Sequence, residues 1–143
     1  MFTIRPAVPE DAQRLSLIDR EVLGYDYPPE KTKKQLEKML SSSDCRVFAA
    51  EADGMVVGYI HGADYDCLYS DPLKNVMALA VLPEYRGQGI GKALLGAIED
   101  WAKEAGCAGV RLVSRMERTQ AHGFYMHCGY VPRKQQQNFI KYL

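Results

Sequence analysis

The residues with the clearest chemical meaning form one short stretch, Pro83 to Lys92, which reads PEYRGQGIGK. A β-rich run precedes this stretch and a helical pattern of apolar residues follows it, so it lies where a strand gives way to a helix. Glycine lets a ligand approach backbone N–H groups closely, and the first N–H groups of a helix have no partner within it. Arg86, Lys92 and the helix dipole add positive charge. The stretch therefore predicts a binding site for a phosphate or pyrophosphate.

The spacing of the glycines argues against two common phosphate-binding motifs. The dinucleotide-binding fingerprint requires a third glycine where Lys92 stands, and the Walker A loop requires other residues at Arg86 and Ala93. Without the Walker A hydroxyl there is no ligand for Mg²⁺, so nothing here suits phosphoryl transfer. The remaining pattern, Arg86-x-x-Gly89-x-Gly91, resembles the R/Q-x-x-G-x-G/A loop with which the GNAT family of N-acetyltransferases binds the pyrophosphate of coenzyme A. Taken alone, the pattern also fits a glycine-rich turn that binds no ligand.

The bulk properties narrow the class of protein further. A chain of 143 residues fits one domain, 1–143. Its 18 basic and 18 acidic residues leave no net charge to attract nucleic acid, and no apolar run is long enough to span a membrane. The start of the chain lacks the apolar segment typical of a signal peptide. The four cysteines have no zinc-site spacing, so we expect no metal, and free thiols in a reducing cytoplasm, at Cys45, Cys67, Cys107 and Cys128.

Apolar periodicity and turn signals predict the order β-α-α-β-β-β-α-β-α-β-β, which means an α/β protein whose mixed sheet has helices on both faces. The predicted helices are Pro9 to Leu23, Glu30 to Leu40, Ile90 to Ala105 and Thr119 to Cys128. The predicted strands are Phe2 to Arg5, Cys45 to Ala52, Met55 to Ala63, Val76 to Val81, Val110 to Ser114, Tyr130 to Arg133 and Asn138 to Tyr142. Asp53-Gly54 predicts a hairpin turn, and Asp64 to Pro72 is expected to be a polar loop.

A second motif lies about 30 residues beyond the glycine loop, from Ala121 to Tyr130. Its sequence, AHGFYMHCGY, resembles the A-x-x-F-Y-x-x-x-G-F/Y segment of the GNAT family. Together with the element order, the two motifs make the chain similar to that family over essentially its whole length. The resemblance implies a mixed, mostly antiparallel central sheet in which two parallel strands, Val76 to Val81 and Val110 to Ser114, splay apart.

The resemblance implies acetyl-CoA as co-substrate, bound in the gap between the two splayed strands. Pantetheine amides would pair with the freed backbone of the first strand, and an N–H near Leu79 or Ala80 would polarise the thioester carbonyl. Arg118 stands where many relatives have an asparagine that touches coenzyme A, and it would bind the 3′-phosphate or be solvated. The predicted cofactor-binding residues are Leu79, Ala80, Val81, Arg86, Gly87, Gln88, Gly89, Ile90, Gly91, Lys92 and Arg118.

The reaction implied by the resemblance is direct attack of an amine on the thioester in a ternary complex. Tyr125 matches the family's leaving-group acid, although helix spacing alone favours a core aromatic. The base is open, because the central strand carries no ionisable residue. His61, with an unperturbed pKa of about 6.5, Asp64, Asp66 and ordered water are the candidates. His61 also fits a purely structural position near the end of a strand.

The acceptor would contact two loops rich in tyrosine and aspartate, Tyr25 to Tyr27 and Asp64 to Asp71. Carboxylates and aromatic faces suit a cationic amine, although ordinary loop polarity gives the same composition. We therefore expect the acceptor to be a small amine or a peptide or protein amine. The alternative function is a catalytically silent acyl-CoA-binding or sensing module. The C-terminal strands are also placed to pair between chains, which would give a homodimer.

Overall fold

The computed structural model describes all 143 residues, in two units formed by residues 1–112 and 113–143. The strands are β1 (Phe2–Pro6), β2 (Cys45–Ala52), β3 (Met55–Cys67), β4 (Ser70–Val81) and β5 (Gly109–Leu112). The helices are α1 (Ala12–Ile18), α2 (Pro29–Leu40), α3 (Ile90–Glu104) and α4 (Thr119–His127). A 3₁₀ turn, Pro9–Asp11, leads into α1, and a π-helical turn, Asp19–Leu23, extends it. None of the helices is both long enough and apolar enough to cross a bilayer.

The five strands form one sheet in the order β1-β2-β3-β4-β5. Three neighbouring pairs are antiparallel and the pair of β4 and β5 is parallel. This topology confirms the prediction of a mixed, mostly antiparallel sheet. Asp53 and Gly54 form the turn between β2 and β3 with φ of 53° and 75°, as the tight hairpin predicted from Asp-Gly requires.

Each face of the sheet is covered by a different helix, because successive side chains of a strand point to opposite faces. On one face, a Cβ at Gly62 would lie 2.6 Å from Ile98 and 3.3 Å from Trp101, so glycine is what lets α3 pack there. On the other face, the Tyr59 hydroxyl donates a hydrogen bond to the carboxylate of Asp19 in the π-helical turn. We call these the α3 face and the α1 face. The helices on both faces agree with the predicted architecture.

The apolar stripe predicted for the third helix forms its buried side. Ile90, Leu94, Ile98 and Trp101 are between 0% and 5% exposed. Fully burying one such side chain contributes about 1.5–3 kcal/mol relative to leaving it in water. This packing fixes the axis of α3 against the sheet and therefore fixes the direction in which its N-terminus points.

The segment from Asp64 to Pro72 was expected to be a polar loop, and this prediction is wrong. The structure continues β3 to Cys67 and starts β4 at Ser70, with Cys67 opposite Ser70. Asp64 lies directly opposite Lys74 and is ion-paired with it. Opposite charges at directly facing positions stabilise a strand pair, so the polar side chains that suggested a loop are the contacts that extend the hairpin.

The two C-terminal strands, Tyr130 to Arg133 and Asn138 to Tyr142, are also wrong predictions. No regular secondary structure follows α4, and Gly129, two residues beyond the end of the helix, has a φ of 93°. A strand exists only where a neighbouring strand accepts its backbone hydrogen bonds, and alternation of side chains does not supply that neighbour. Val131, Phe139 and Ile140 are 74–86% exposed.

Candidate active site

The glycine loop between β4 and α3 has the conformation that its sequence predicts. A 3₁₀ turn, Pro83–Tyr85, follows the strand. Gly87 and Gly89 have φ of 80° and 89°, in the left-handed region where other residues are strained. Gly89 is the N-cap residue of α3. A Cβ at either glycine would meet no atom within 4 Å, so backbone conformation requires glycine here and the space beside the loop is open.

Backbone donors are concentrated at this loop. The N–H groups of the first residues of α3, beginning at Ile90, have no acceptor within the helix, and residues 87–89 are exposed. The side chain of Arg86 donates from Nε to the carbonyl of Val81 at 3.1 Å, and the Tyr85 hydroxyl donates to Asp53 at 2.9 Å. These two contacts hold the loop against the end of β4 and the β2–β3 turn. The arrangement suits an anion at the positive end of a helix.

The strand that leads into the loop is paired with β5 along only part of its length. Parallel pairing runs from Leu73 opposite Gly109 to Val76 opposite Leu112 and then stops. Beyond Val76, β4 continues to Val81 and stays paired with β3 alone. Pairing between the two parallel strands therefore ends after Val76, because β5 ends at Leu112 and does not reach Ser114. The splaying of the two strands beyond this point stays a prediction.

A β-bulge that the sequence did not reveal lies where the parallel pairing of β4 ends. His61 faces Ala78 while Gly62 faces Val76, so Met77 is an extra residue in β4. A bulge bends its strand and increases the local twist. After the bulge, the N–H of Leu82 donates to β3 at 2.9 Å. Because backbone groups alternate along a strand, the N–H groups of Val81 and Leu79 point away from β3, toward the side that β5 leaves unpaired.

His61, the predicted candidate base, lies on the α1 face of β3, two residues beyond Tyr59. Its Nε2 is buried and has no hydrogen-bond partner in the protein. Burial lowers the pKa of His61 because it disfavours the charged imidazolium. A neutral imidazole with one free ring nitrogen is a group that can accept a proton.

Asp19 and Tyr59 form a second polar pair on the same face, and sequence reasoning missed both. Burial raises the pKa of Asp19, and the hydrogen bond from Tyr59 offsets only part of this effect. Burial, the charge of Asp19 and the hydrogen bond raise the pKa of Tyr59 in turn. The sequence did contain a signal, because Asp19 stands four residues after Leu15 and seven after Ala12, within the apolar stripe of the first helix.

Two other predicted candidates have different surroundings. Asp64 lies on the α3 face, where Lys74 is its partner and the Lys74 ammonium lies 4.0 Å from the ring centre of Trp101. Its charge is therefore already balanced within the fold. Asp66 is exposed on the β3–β4 hairpin, and no group of three or more metal-ligating side chains occurs in the chain.

The remaining predicted residues, Tyr125 and Arg118, belong to the second unit, residues 113–143. Arg118 is the N-cap residue of α4 and Tyr125 lies within that helix. The Tyr125 ring centre lies 5.4 Å from that of Phe124 and 6.2 Å from that of Tyr130. Burial raises the pKa of Tyr125, while the positive charge of Arg118 acts in the opposite direction. The phenol therefore carries its proton near neutral pH.

These features define a mixed α/β protein with an exposed glycine loop beside an unpaired strand edge, and the chain is similar to known proteins. The profile of the acetyltransferase (GNAT) family matches residues 12–130. An aminoglycoside N(6')-acetyltransferase type 1 of Stenotrophomonas maltophilia is 32% identical over 138 residues, which cover 90% of this chain and 85% of the relative. An aminoalkylphosphonate N-acetyltransferase of Salmonella typhimurium is 28% identical over 128 residues, covering 89% and 83% respectively.

A solved structure gives the same result for the fold. The complex of AAC(6')-Iy with the bisubstrate analogue CoA-S-monomethyl-acetylneamine has a TM-score of 0.87 to this chain, at 20% identity, and covers 100% of this chain and 99% of its own. The chain therefore belongs to the acetyltransferase (GNAT) family. It is an acyltransferase, as the resemblance in its two motifs predicted.

Proposed function

We propose that residues 1–143 act as one domain that transfers an acetyl group from acetyl-CoA to a primary amine, by direct attack within a ternary complex. The observation that carries the proposal is the pairing of an open glycine loop at the start of α3 with an unpaired edge of β4. Such a combination offers donors to a pyrophosphate and, a few residues away, backbone groups to a peptide-like arm. Membership of the family supports the same reaction.

In this proposal coenzyme A is bound by backbone more than by side chains. The loop N–H groups and the charge of Lys92 hold the pyrophosphate, and Arg86 adds charge beside it. The outward N–H groups of Leu79 and Val81 are the partners of the pantetheine amides and the thioester, with Ala80 between them. Arg118 is the partner proposed for the 3′-phosphate. The full proposed set remains Leu79, Ala80, Val81, Arg86, Gly87, Gln88, Gly89, Ile90, Gly91, Lys92 and Arg118.

The catalytic steps follow from three proton and charge requirements. An alkylammonium, with a pKa of about 10.4, must lose a proton before it can attack. We assign that proton to His61, directly or through water. The free amine then attacks the thioester carbon, and the developing oxyanion is stabilised by the N–H of Leu79. When the C–S bond breaks, the thiolate takes a proton from Tyr125, and the proton that the attacking nitrogen loses on becoming an amide restores the phenol.

The proposed acceptor is a small amine. The two relatives are named for acetylating an aminoglycoside and an aminoalkylphosphonate. We therefore propose to screen neamine, 2-aminoethylphosphonate and a lysine-containing peptide with acetyl-CoA, following release of free thiol. Thiol release that depends on the amine supports the function. Binding of acetyl-CoA without turnover on any amine would instead identify a silent acyl-CoA-binding module.

Two glycine substitutions of the same chemistry test the loop. Gly89→Ala places a Cβ on a residue with φ of 89°, whereas Gly96, inside α3, has room for a Cβ and no positive φ. The strain of about 1–2 kcal/mol at Gly89 should raise the KM for acetyl-CoA by about tenfold. Gly96→Ala should leave that KM unchanged. Equal KM values in the two variants would contradict the assignment of the loop.

Two further parts of the proposal concern setting and assembly. All four cysteines are free thiols, which is consistent with a reducing cytoplasm.

The exposed apolar side chains of the C-terminal segment, such as Phe139 and Ile140, support a homodimer in which this segment is covered by a second copy. Sedimentation of the full chain against a chain ending at Tyr130 would test the assembly, because the shorter chain should then be monomeric.

A further inference from the structure

We propose that the carboxylate of Asp19, held in place by the Tyr59 hydroxyl, is the anion that binds the ammonium group of the acceptor. The inference rests on the N-acetyltransferase function proposed above and names the residue that would recognise its amine substrate. It makes Asp19 a determinant of specificity for cationic acceptors, and it leaves proton removal to His61.

The first argument is position. Asp19 begins the π-helical turn that extends α1, and its side chain accepts the hydrogen bond of Tyr59. Tyr59 lies directly opposite Ala80 of β4, and side chains at facing positions are about 5 Å apart. The π-helical turn that carries Asp19 also contacts β4, so the carboxylate lies on the same face as the Ala80 side chain, near the strand to which we assign the thioester. His61 follows two residues beyond Tyr59, at a distance of about 6.6 Å along the strand.

The second argument is unbalanced charge. Asp11 lies just before the same helix and is buried, but it accepts two hydrogen bonds from Arg5, at 2.8 and 2.9 Å, and one from the Val8 N–H. Asp64 on the other face has Lys74. None of the ion pairs of the chain includes Asp19, whose single donor is the neutral Tyr59. A half-buried carboxylate without a cation is costly to hold, and a bound ammonium would supply the missing charge.

The third argument distinguishes an ammonium ion from a metal ion. Asp19 belongs to no group of three or more histidine, cysteine or acidic side chains that could hold a metal ion, whereas Ca²⁺ or Mg²⁺ needs several oxygen ligands. Two tyrosines contact Asp19 instead. The Tyr59 hydroxyl donates to its carboxylate, and the N–H of Tyr25, a residue that is 55% exposed, donates to its carbonyl at 3.1 Å. Carboxylate and tyrosine faces together favour an organic cation.

The test is Asp19→Asn, which keeps an acceptor for the Tyr59 hydroxyl and removes the charge. Binding of neamine, 2-aminoethylphosphonate and spermidine to the protein saturated with coenzyme A is measured by calorimetry, and KM for each amine by thiol release. We expect the Kd and KM of the preferred amine to rise by about tenfold or more, with the KM for acetyl-CoA unchanged. Asp19→Glu should recover part of the affinity. Asp100→Asn, an exposed carboxylate on α3, is the matched control and should change neither.

Each outcome decides a separate question. Unchanged Kd and KM for the amines in Asp19→Asn overturn the role of Asp19 while the acetyltransferase function stands. Amine binding by the wild type without any transfer overturns the function, and the Kd ratio of wild type to variant still decides Asp19. No binding of any of the three amines to the wild type overturns both the site and its ligand class. If Asp19→Asn fails to fold, Asp19→Ser, which also removes the charge and keeps an oxygen acceptor, takes its place in the comparison.

Discussion

The two faces of the central β3–β4 pair differ in whether their polar groups have partners within the fold. On the α3 face, Lys74 is buried but is ion-paired with Asp64 and lies over Trp101. On the α1 face, His61 has a buried ring nitrogen without a partner, and Asp19 has a hydroxyl donor but no cation. On the α3 face these polar groups are paired within the fold. On the α1 face they lack partners that a substrate could supply. The comparison indicates that substitutions on the α3 face should lower stability and those on the α1 face should lower activity.

The largest effect is expected on the α3 face, from Trp101→Ala. Trp101 is 5% exposed, and its ring packs against the Lys74 ammonium and beside Gly62. Removing so large a buried ring should lower the free energy of unfolding by about 3–5 kcal/mol, measured by urea denaturation. The folded fraction should keep its affinity for acetyl-CoA. A stable Trp101→Ala variant with lost activity would break the distinction between the faces.

An effect of intermediate size, on activity and not on stability, is expected from His61→Gln on the α1 face. We expect kcat to fall by about a hundredfold while the free energy of unfolding changes by less than about 1 kcal/mol. Burial lowers the pKa of His61, so wild-type activity should rise with pH through a value below 6.5 and then level off. The variant should lose this inflection. A pH–rate profile of both proteins checks the assignment, and a retained inflection would remove His61 from the mechanism.

The smallest effect compares two aspartates of the first helical segment by the pH dependence of stability. Burial alone would raise the pKa of Asp11, but the hydrogen bonds from Arg5 and the Val8 N–H leave it lowered. The pKa of Asp19 is raised. A lowered pKa means that the ionised form is favoured in the folded state, so wild type should gain stability over Asp11→Asn as pH rises through about 3.8. A raised pKa means that the protonated form is favoured in the folded state, so the change in stability with pH has the opposite sign.

For Asp19, the folded state binds more protons than the unfolded state just above pH 3.8 or so, and wild type should therefore lose stability relative to Asp19→Asn as pH rises through that window. Urea denaturation of the two variants and the wild type between about pH 3 and 6 gives both slopes. Slopes of the same sign for the two aspartates would show that Asp19 has a balancing charge that we have not identified.

Local patterns predicted those elements whose conformation depends on local residues. Three such elements were predicted, because backbone φ and apolar spacing depend on residues that are close in sequence. They are the Asp53-Gly54 turn, the α3 stripe and the glycine loop. The hairpin from Asp64 and the closing strands were mispredicted because a strand depends on a distant partner. For the hairpin, Lys74 on β4 is the partner that Asp64 pairs with. For the two closing strands, the chain contains no neighbouring strand.

The candidate site follows the same rule. The positions of the loop residues and the face of His61 could be predicted from motif and alternation. The bulge at Met77 could not, because it is defined only by counting residues against β3. Asp19 was hidden for a related reason, since its meaning depends on Tyr59, which lies 40 residues away in sequence.

The bulge also has a consequence for how the course of β4 can be altered. Parallel pairing ends at Val76, one residue before Met77, and the partners of Ala78 and Ala80 on β3 would stay the same if Met77 were deleted. A deletion at this position would thus leave the register of these residues unchanged and would remove the local bend and twist that the bulge adds to β4. The course of β4 along its unpaired edge is therefore set by one surplus residue.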